Sequence, residues 1–261
     1  MNRRGSLFWG SVLIILAALL LLKQFQIIND VFGFFWPLLV IAFGIWLIFS
    51  FFTRHQPIEG QQVSIPLEGA TSAYIKLDHG AGKLVLFSGA GSAEILNGTF
   101  ASGLDYKSRL DGDRLEVKLR TPHQVWARWP EERMDWEIHL NPSIPLSLKF
   151  DSGASSSILD LSDLKVTALD IDTGASKTEL TLPANAGNTH VDIDTGASSL
   201  KVTIPSGVAA SIRVKSGITS LSIDSRFSRL DGGLYQSPDY STASNRVDMT
   251  IDAGVGSIEI I

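Results

Sequence analysis

The chain has 261 residues, 44% hydrophobic and 19% charged, with a net charge of −5 and no cysteine. Without cysteine, disulfides, thiolate metal sites, iron–sulfur clusters and thiol catalysis are excluded. The charge divides unevenly. Arg3, Arg4, Lys23 and Arg54 face Asp30 alone in residues 1–55, a net of +3, which leaves −8 for the rest. An acidic remainder with no basic stripe excludes a nucleic-acid partner.

Two uncharged apolar runs come first, at residues 7–22 and 34–52. The second is long enough as a helix for the ~30 Å bilayer core. The first reaches that length by extending toward Ile28 while Lys23 snorkels to the headgroups. Two transmembrane helices are expected, over about 7–25 and 34–52, as a hairpin in a domain spanning 1–55. Trp9, Trp36 and Trp46 lie near the helix ends, where an indole meets both lipid and water. No small-residue cleavage site follows the first run, which argues against a removable signal peptide. The spans also echo each other, Phe8-Trp9-Gly10 matching Phe35-Trp36-Pro37. Arg3 and Arg4 at one end and Arg54 at the other outweigh Lys23 in the loop. The positive-inside rule then puts both ends of this multi-pass segment, and the C-terminal domain, in the cytoplasm.

Residues 56–62 hold Pro57 and Gly60 and read as a linker. From residue 63 to 261 the apolar pattern has period two, as in Val191-Asp192-Ile193-Asp194, the mark of half-buried strands. One phrase recurs: KLDHGAG at 76–82, KFDSGAS at 149–155, DIDTGAS at 170–176 and at 192–198, RVKSGIT at 213–219 and TIDAGVG at 250–256. Such a period signals stacked supersecondary units. Each unit reads as strand, tight turn, strand, with insertions at about 88–147 and 224–247. The turn residues are Asp151, Gly153, Asp172, Gly174, Asp194, Gly196, Gly217, Asp252 and Gly254. In chain order, Ile171 stacks over Ile193 and Val214, and Leu180 over Leu200 and Leu221. The terminal rung at Ser257–Ile261 is then an open strand edge. A parallel solenoid fits this pattern, and an antiparallel sandwich of hairpins is the alternative.

The first insertion predicts a hairpin, Leu104–Lys107 against Leu115–Lys118 around Asp111-Gly112-Asp113. It is followed by Trp126, Arg128, Trp129, Arg133 and Trp136, which form either a solenoid cap or an interaction patch.

Asp172-Thr173-Gly174 and Asp194-Thr195-Gly196 each spell the aspartic-protease triplet, where two carboxylates share a proton. Six turns share this frame, and Lys215 replaces the acid in one of them. The structural reading, an Asp side chain fixing the turn, therefore suffices, and an aspartic-type hydrolase is the remote alternative. No metal, cofactor, catalytic residue or small-molecule substrate is expected.

The paired Phe-Trp spans, with Gly44-Ile45-Trp46, resemble the LiaI/LiaF-type transmembrane region. The stretch from Trp136-Glu137-Ile138 through Asn141-Pro142-Ser143-Ile144-Pro145 into the Asp-x-Gly repeats is similar to the toastrack, adhesin-type domain of LiaF-like proteins. Those proteins carry four spans and this chain has two. The resemblance implies a right-handed, single-stranded β-helix. It also implies a non-enzymatic bacterial envelope protein that regulates or scaffolds the cell-envelope stress response. The expected partners are the lipid bilayer and a sensor-kinase-like membrane protein, or a second copy by self-association. The alternative function is an adhesin-like or ligand-sensing surface domain anchored by the hairpin.

Overall fold

The computed structural model describes residues 60–101, 103–122 and 134–261, all within the compact unit Ile58–Ile261. The expected spans at 7–25 and 34–52 lie outside the described residues, as do Trp126, Arg128, Trp129 and Arg133. Among the described residues no helix is long and apolar enough to cross a membrane.

The described residues form thirteen strands. They are β1 (Gln61–Pro66), β2 (Ser72–Ser88), β3 (Glu94–Phe100), β4 (Asp105–Asp111), β5 (Arg114–Arg120), β6 (Trp136–Leu140), β7 (Pro145–Asp160), β8 (Lys165–Thr181), β9 (Asn188–Thr203), β10 (Ala209–Ile223), β11 (Ser228–Arg229), β12 (Leu234–Gln236) and β13 (Arg246–Ile260). All belong to one open sheet. Six long strands carry the recurrent phrase and pair in parallel in the order β2-β7-β8-β9-β13-β10. Parallel pairing overturns the antiparallel sandwich. Each rung is one strand, stacked on the next.

The phrase is not a chain reversal. β8 runs unbroken from Lys165 to Thr181, through the glycine. Its inward positions are Ile171, Thr173, Ser176, Thr178 and Leu180, while Gly174 and Ala175 both face out. Two consecutive outward residues shift the alternation by one and bend the strand into two arms. Reading DTGAS as a turn that joins two strands is thus corrected to a corner within one strand. The reversals lie elsewhere, in short loops such as the one at Gly207, where φ is 87°.

The corner glycines stack in a column. A Cβ on Gly174 would sit 2.8 Å from the Gly153 carbonyl oxygen, and one on Gly196 2.8 Å from that of Gly174. On Gly254 it would sit 2.5 Å from the Gly196 oxygen. Glycine is required here for close approach of neighbouring rungs, not for an unusual φ.

Inside the bend the arms share one core. Ile75, Leu77, Leu86, Leu146, Leu148, Val191, Val202, Ile251 and Ile260 are all buried. Each such side chain contributes ~1.5–3 kcal/mol relative to exposure.

Two stacking expectations fail. β13 lies between β9 and β10, so Ile193 stacks on Ile251, and Ile251 on Val214. The terminal strand is therefore interior, and the edge expected open at Ser257–Ile261 is paired on both sides from Ser257 to Ile260. Leu180 stacks on Val202, and Leu200 on Thr178 and Ile258. The ladder keeps a constant offset of 22 from Ala168 onward, so the apolar residues of the second arm are staggered by two.

The sheet forks at its N-terminal end. The first arm of β2 pairs with β5, which carries β4. The second arm pairs with β6, then β3, then β1. At the far end, β12 and β11 cover only Ser211–Arg213 of β10. The 224–245 segment is held down where the Tyr240 hydroxyl donates to Asp248. Burial and that carboxylate push the phenol up to about 12.

Candidate interaction surface

The parallel register sorts outward side chains into columns. One holds Asp78, Asp151, Asp172, Asp194 and Asp252, and ends at Lys215 on β10. Rungs stand ~4.8 Å apart, so these like charges repel unless a cation intervenes. Among the described residues, ion pairs to these carboxylates form only at the N-terminal end. Lys76 Nζ lies 2.5 Å from Asp151 and 3.2 Å from Asp78, and Arg120 Nε lies 3.1 Å from Asp78. Lys149 reaches Asp170 at 2.6 Å and Asp151 at 3.7 Å. Partial burial of Asp151 works to raise its pKa, but the Lys76 hydrogen bond and the charges of Lys76 and Lys149 outweigh it and hold the carboxyl below the ordinary range. Lys76 and Lys149 are correspondingly raised, chiefly by their hydrogen bonds to Asp151 and Asp170. Among the described residues, Asp172, Asp194 and Asp252 have no such cation partner.

Asp172 and Asp194 are adjacent rung residues on the outer face, both exposed. An acid dyad needs enclosure that makes two carboxylates share a proton. These two stand side by side in water. The threonine of each triplet faces inward instead: Thr173 and Thr195 are buried and hydrogen-bonded at 3.1 Å. Thr173 also meets Ser176 at 3.0 Å, and Ser152 meets Ser155 at 2.9 Å, closing each corner from inside. The recurrent phrase thus encodes an acid outside, a hydroxyl inside and a glycine where rungs touch. Among the described residues no cluster of His, Asp or Glu could hold a metal ion.

Trp136, expected in the Trp/Arg patch, is fully buried. Its ring lies 4.9 Å from His79 and meets Phe100 edge-on at 5.3 Å. It is a core residue of the forked end. His79 is buried beside it, with Nε2 donating to the Met134 carbonyl at 2.6 Å and Nδ1 without a partner among the described residues. Burial pushes the imidazole below its ordinary pKa, against the opposing pulls of that carbonyl and Asp135. The β4–β5 hairpin turns at Gly112, φ 63°, as its Asp-Gly-Asp sequence predicts. Lys107, Lys118 and Arg120 from it, with Asp78 and Asp172, line an open groove of about 870 Å³.

The surface that sequence reasoning misses is at the other end. Among the described residues, β10 beyond Arg213 pairs with β13 alone. The outward corner column reads Ala81, Ala154, Ala175, Ala197, Val255, Ile218. Ile218 is 81% exposed, Val255 53% and Leu221 36%. The growth from Ala to Ile, with Lys215 in place of the acid, was the signal in the sequence that marks the last rung.

An open parallel stack with one bent strand per rung makes this a β-solenoid protein. Residues 54–203 match the family described as the N-terminal domain of toast_rack, and the chain belongs to that family. Residues 7–48 match the LiaI-LiaF-like transmembrane region, which makes it a membrane protein of LiaF-like build. Neither description names a catalytic activity. Among solved structures, a candidate cell adhesion protein from Clostridium sporogenes is 23% identical, with a TM-score of 0.72 over 77% of this chain and 98% of that one. It shares the fold. A candidate adhesin from Bacteroides fragilis is 8% identical, with a TM-score of 0.27 over 78% of this chain and 99% of that one, below the level of a shared fold. No curated protein matches the chain.

Proposed function

We propose that the chain is a non-catalytic regulator or scaffold of cell-envelope stress signalling, acting through protein–protein contacts. In this reading a hairpin of two helices, at about 7–25 and 34–52, anchors the toast-rack domain on the cytoplasmic side. There it meets a sensor-kinase-like membrane protein. The observation that carries the reading is the joining of a LiaI-LiaF-like transmembrane region to a toast-rack domain in one chain. The exposed carboxylates Asp172, Asp194 and Asp252, which make no ion pair among the described residues, support a contact with a basic partner surface. Right-handed winding of the rungs is supported by the strong preference of parallel crossovers in one sheet.

A second reading, an adhesin-like domain outside the cell, is favoured by the description of the Clostridium sporogenes neighbour alone. The two differ in topology, and the absence of cysteine makes the test clean. Single cysteines replace Asn29, in the expected loop, and Ser241, exposed in the second insertion. Intact bacterial cells are treated with a membrane-impermeant maleimide. Labelling at Asn29→Cys without Ser241→Cys supports the regulator. Labelling at Ser241→Cys overturns it in favour of the surface reading.

A further inference from the structure

We infer that the uncovered half of β10 is a self-association edge, at which two copies of this chain pair their Gly217–Ile223 segments antiparallel about a two-fold axis. The inference stands on the strand order and the side chains of this edge and does not depend on the signalling role.

Among the described residues four arm ends terminate the stack, and three are protected. β4 ends the first arm with Asp105, Lys107, Arg109 and Asp111, all exposed. β1 ends the second arm with a register break at Ile65/Pro66 and a proline that cannot donate. β12 and β11 close the first arm of β10 with strands of three and two residues. Charges, proline, irregularity and shortness are the devices by which proteins keep edges from pairing. The fourth end has none of them. From Gly217 to Ile223 it reads GITSLSI, with no charge and no proline.

The charge pattern names the occupant. On the outer face of the second arm, the column Glu179, Lys201, Glu259 ends in Ser222, and the column Lys177, Ser199, Ser257 ends in Ser220. The charged face fades to hydroxyls on the last rung. Two copies of an acidic domain repel across most of their surfaces, but not here. A strongly charged partner finds nothing to pair with on this edge, while an identical neutral edge matches it. Antiparallel pairing about a two-fold axis keeps the core faces of both sheets on one side. Leu221 of each copy, left 36% exposed by the end of the stack, is then covered across the junction. Ile218 and Val255, apolar at an exposed corner where the fold itself uses alanine, flank the same junction.

The test uses the full chain in its membrane. Single cysteines are placed in turn at Ser220, Leu221 and Ser222, positions that a two-fold pairing brings close to their own symmetry mates. The control is Ser199→Cys, in the same column as Ser220 but two rungs inside. After mild oxidation, a disulfide-linked homodimer is expected at one or more of the three edge positions and not at the control. Adding Ile218→Lys, which sets two like charges at the junction without touching the core, abolishes that dimer at unchanged thermal stability. Equal cross-linking at Ser199→Cys, no dimer at any edge position, or cross-linking to a different protein instead each overturns the inference.

Discussion

The two ends of the stack are built from the same rung and finished differently. At the N-terminal end both arms of β2 are extended by added strands, and the junction is filled by Trp136, Phe100 and His79, all buried. At the C-terminal end only one arm of β10 is covered, and Ile218 and Leu221 stand exposed. A solenoid needs a finish at each end because a terminal rung has a neighbour on one side only. The closed end shows what a complete finish requires: bulky core residues, charged or broken edge strands, and paired backbone. The half-open end retains the features of an interface.

The largest expected effect tests the strand order behind this comparison. Deleting Arg246–Ile260 removes an interior rung with two ladders, so the domain loses its cooperative unfolding transition by circular dichroism. A transition like that of the intact chain would mean that β13 is an edge after all. Next come the apolar residues of the two ends. Trp136→Ala is expected to cost about 3–5 kcal/mol. Leu221→Ala, at a partly exposed site, is expected to cost well under that, about 1 kcal/mol or less, in urea unfolding. Similar costs would erase the contrast between the ends.

The corner column sharpens the comparison further. Gly196→Ala places a Cβ 2.8 Å from the Gly174 carbonyl oxygen, between two fixed rungs. Overpacking of this kind costs about 1–3 kcal/mol. Gly217→Ala meets the Gly254 oxygen at 2.6 Å, but its strand has an open side and can move away. Its fall in Tm is expected to be the smaller of the two despite the shorter contact. The smallest effect is a pH dependence confined to the closed end. His79 is buried with its pKa lowered, so the unfolded chain binds a proton that the folded chain resists. Stability is then full above about pH 6.5 and declines as the pH falls below that value, levelling off once the buried ring also protonates. His79→Gln is expected to flatten that part of the urea midpoint profile between pH 7.5 and pH 5. An unchanged slope would place its origin elsewhere.

Much of this was legible from residue order. Period-two alternation gave strands, the repeated Asp-x-Gly phrase gave the rungs, and the Asp111-Gly112-Asp113 signal gave the hairpin. The strand order was not legible, because the 250–256 phrase has the same local chemistry whether its rung follows β9 or β10. Register between parallel strands is set by the whole column, not by any one pair. Only the columns separate the cases: placing β13 after β9 keeps Asp194 beside Asp252 and moves Lys215 and Ile218 to the end. Trp136 was misplaced for a related reason. It sits next to the Trp/Arg run in sequence, yet as the first residue of β6 it pairs with Leu84 and points into the core. The carboxylate column was visible as a repeat, but its neutralisation at one end by Lys76, Lys149 and Arg120 depends on cross-rung contacts that no short motif encodes.

Amide hydrogen exchange of the full chain, followed residue by residue at two protein concentrations, tests the asymmetry of the two ends most directly. Slow exchange is expected in Leu200–Val202 and Ile258–Ile260, flanked on both sides, at either concentration. Fast exchange in dilute protein is expected for the Ile218–Ile223 amides that point away from β13, and slower exchange of the same amides when the protein is concentrated. Exchange of those outward-pointing amides as slow as in Ile258–Ile260 at every concentration would mean that the chain covers this edge itself, and would overturn the asymmetry of the two ends.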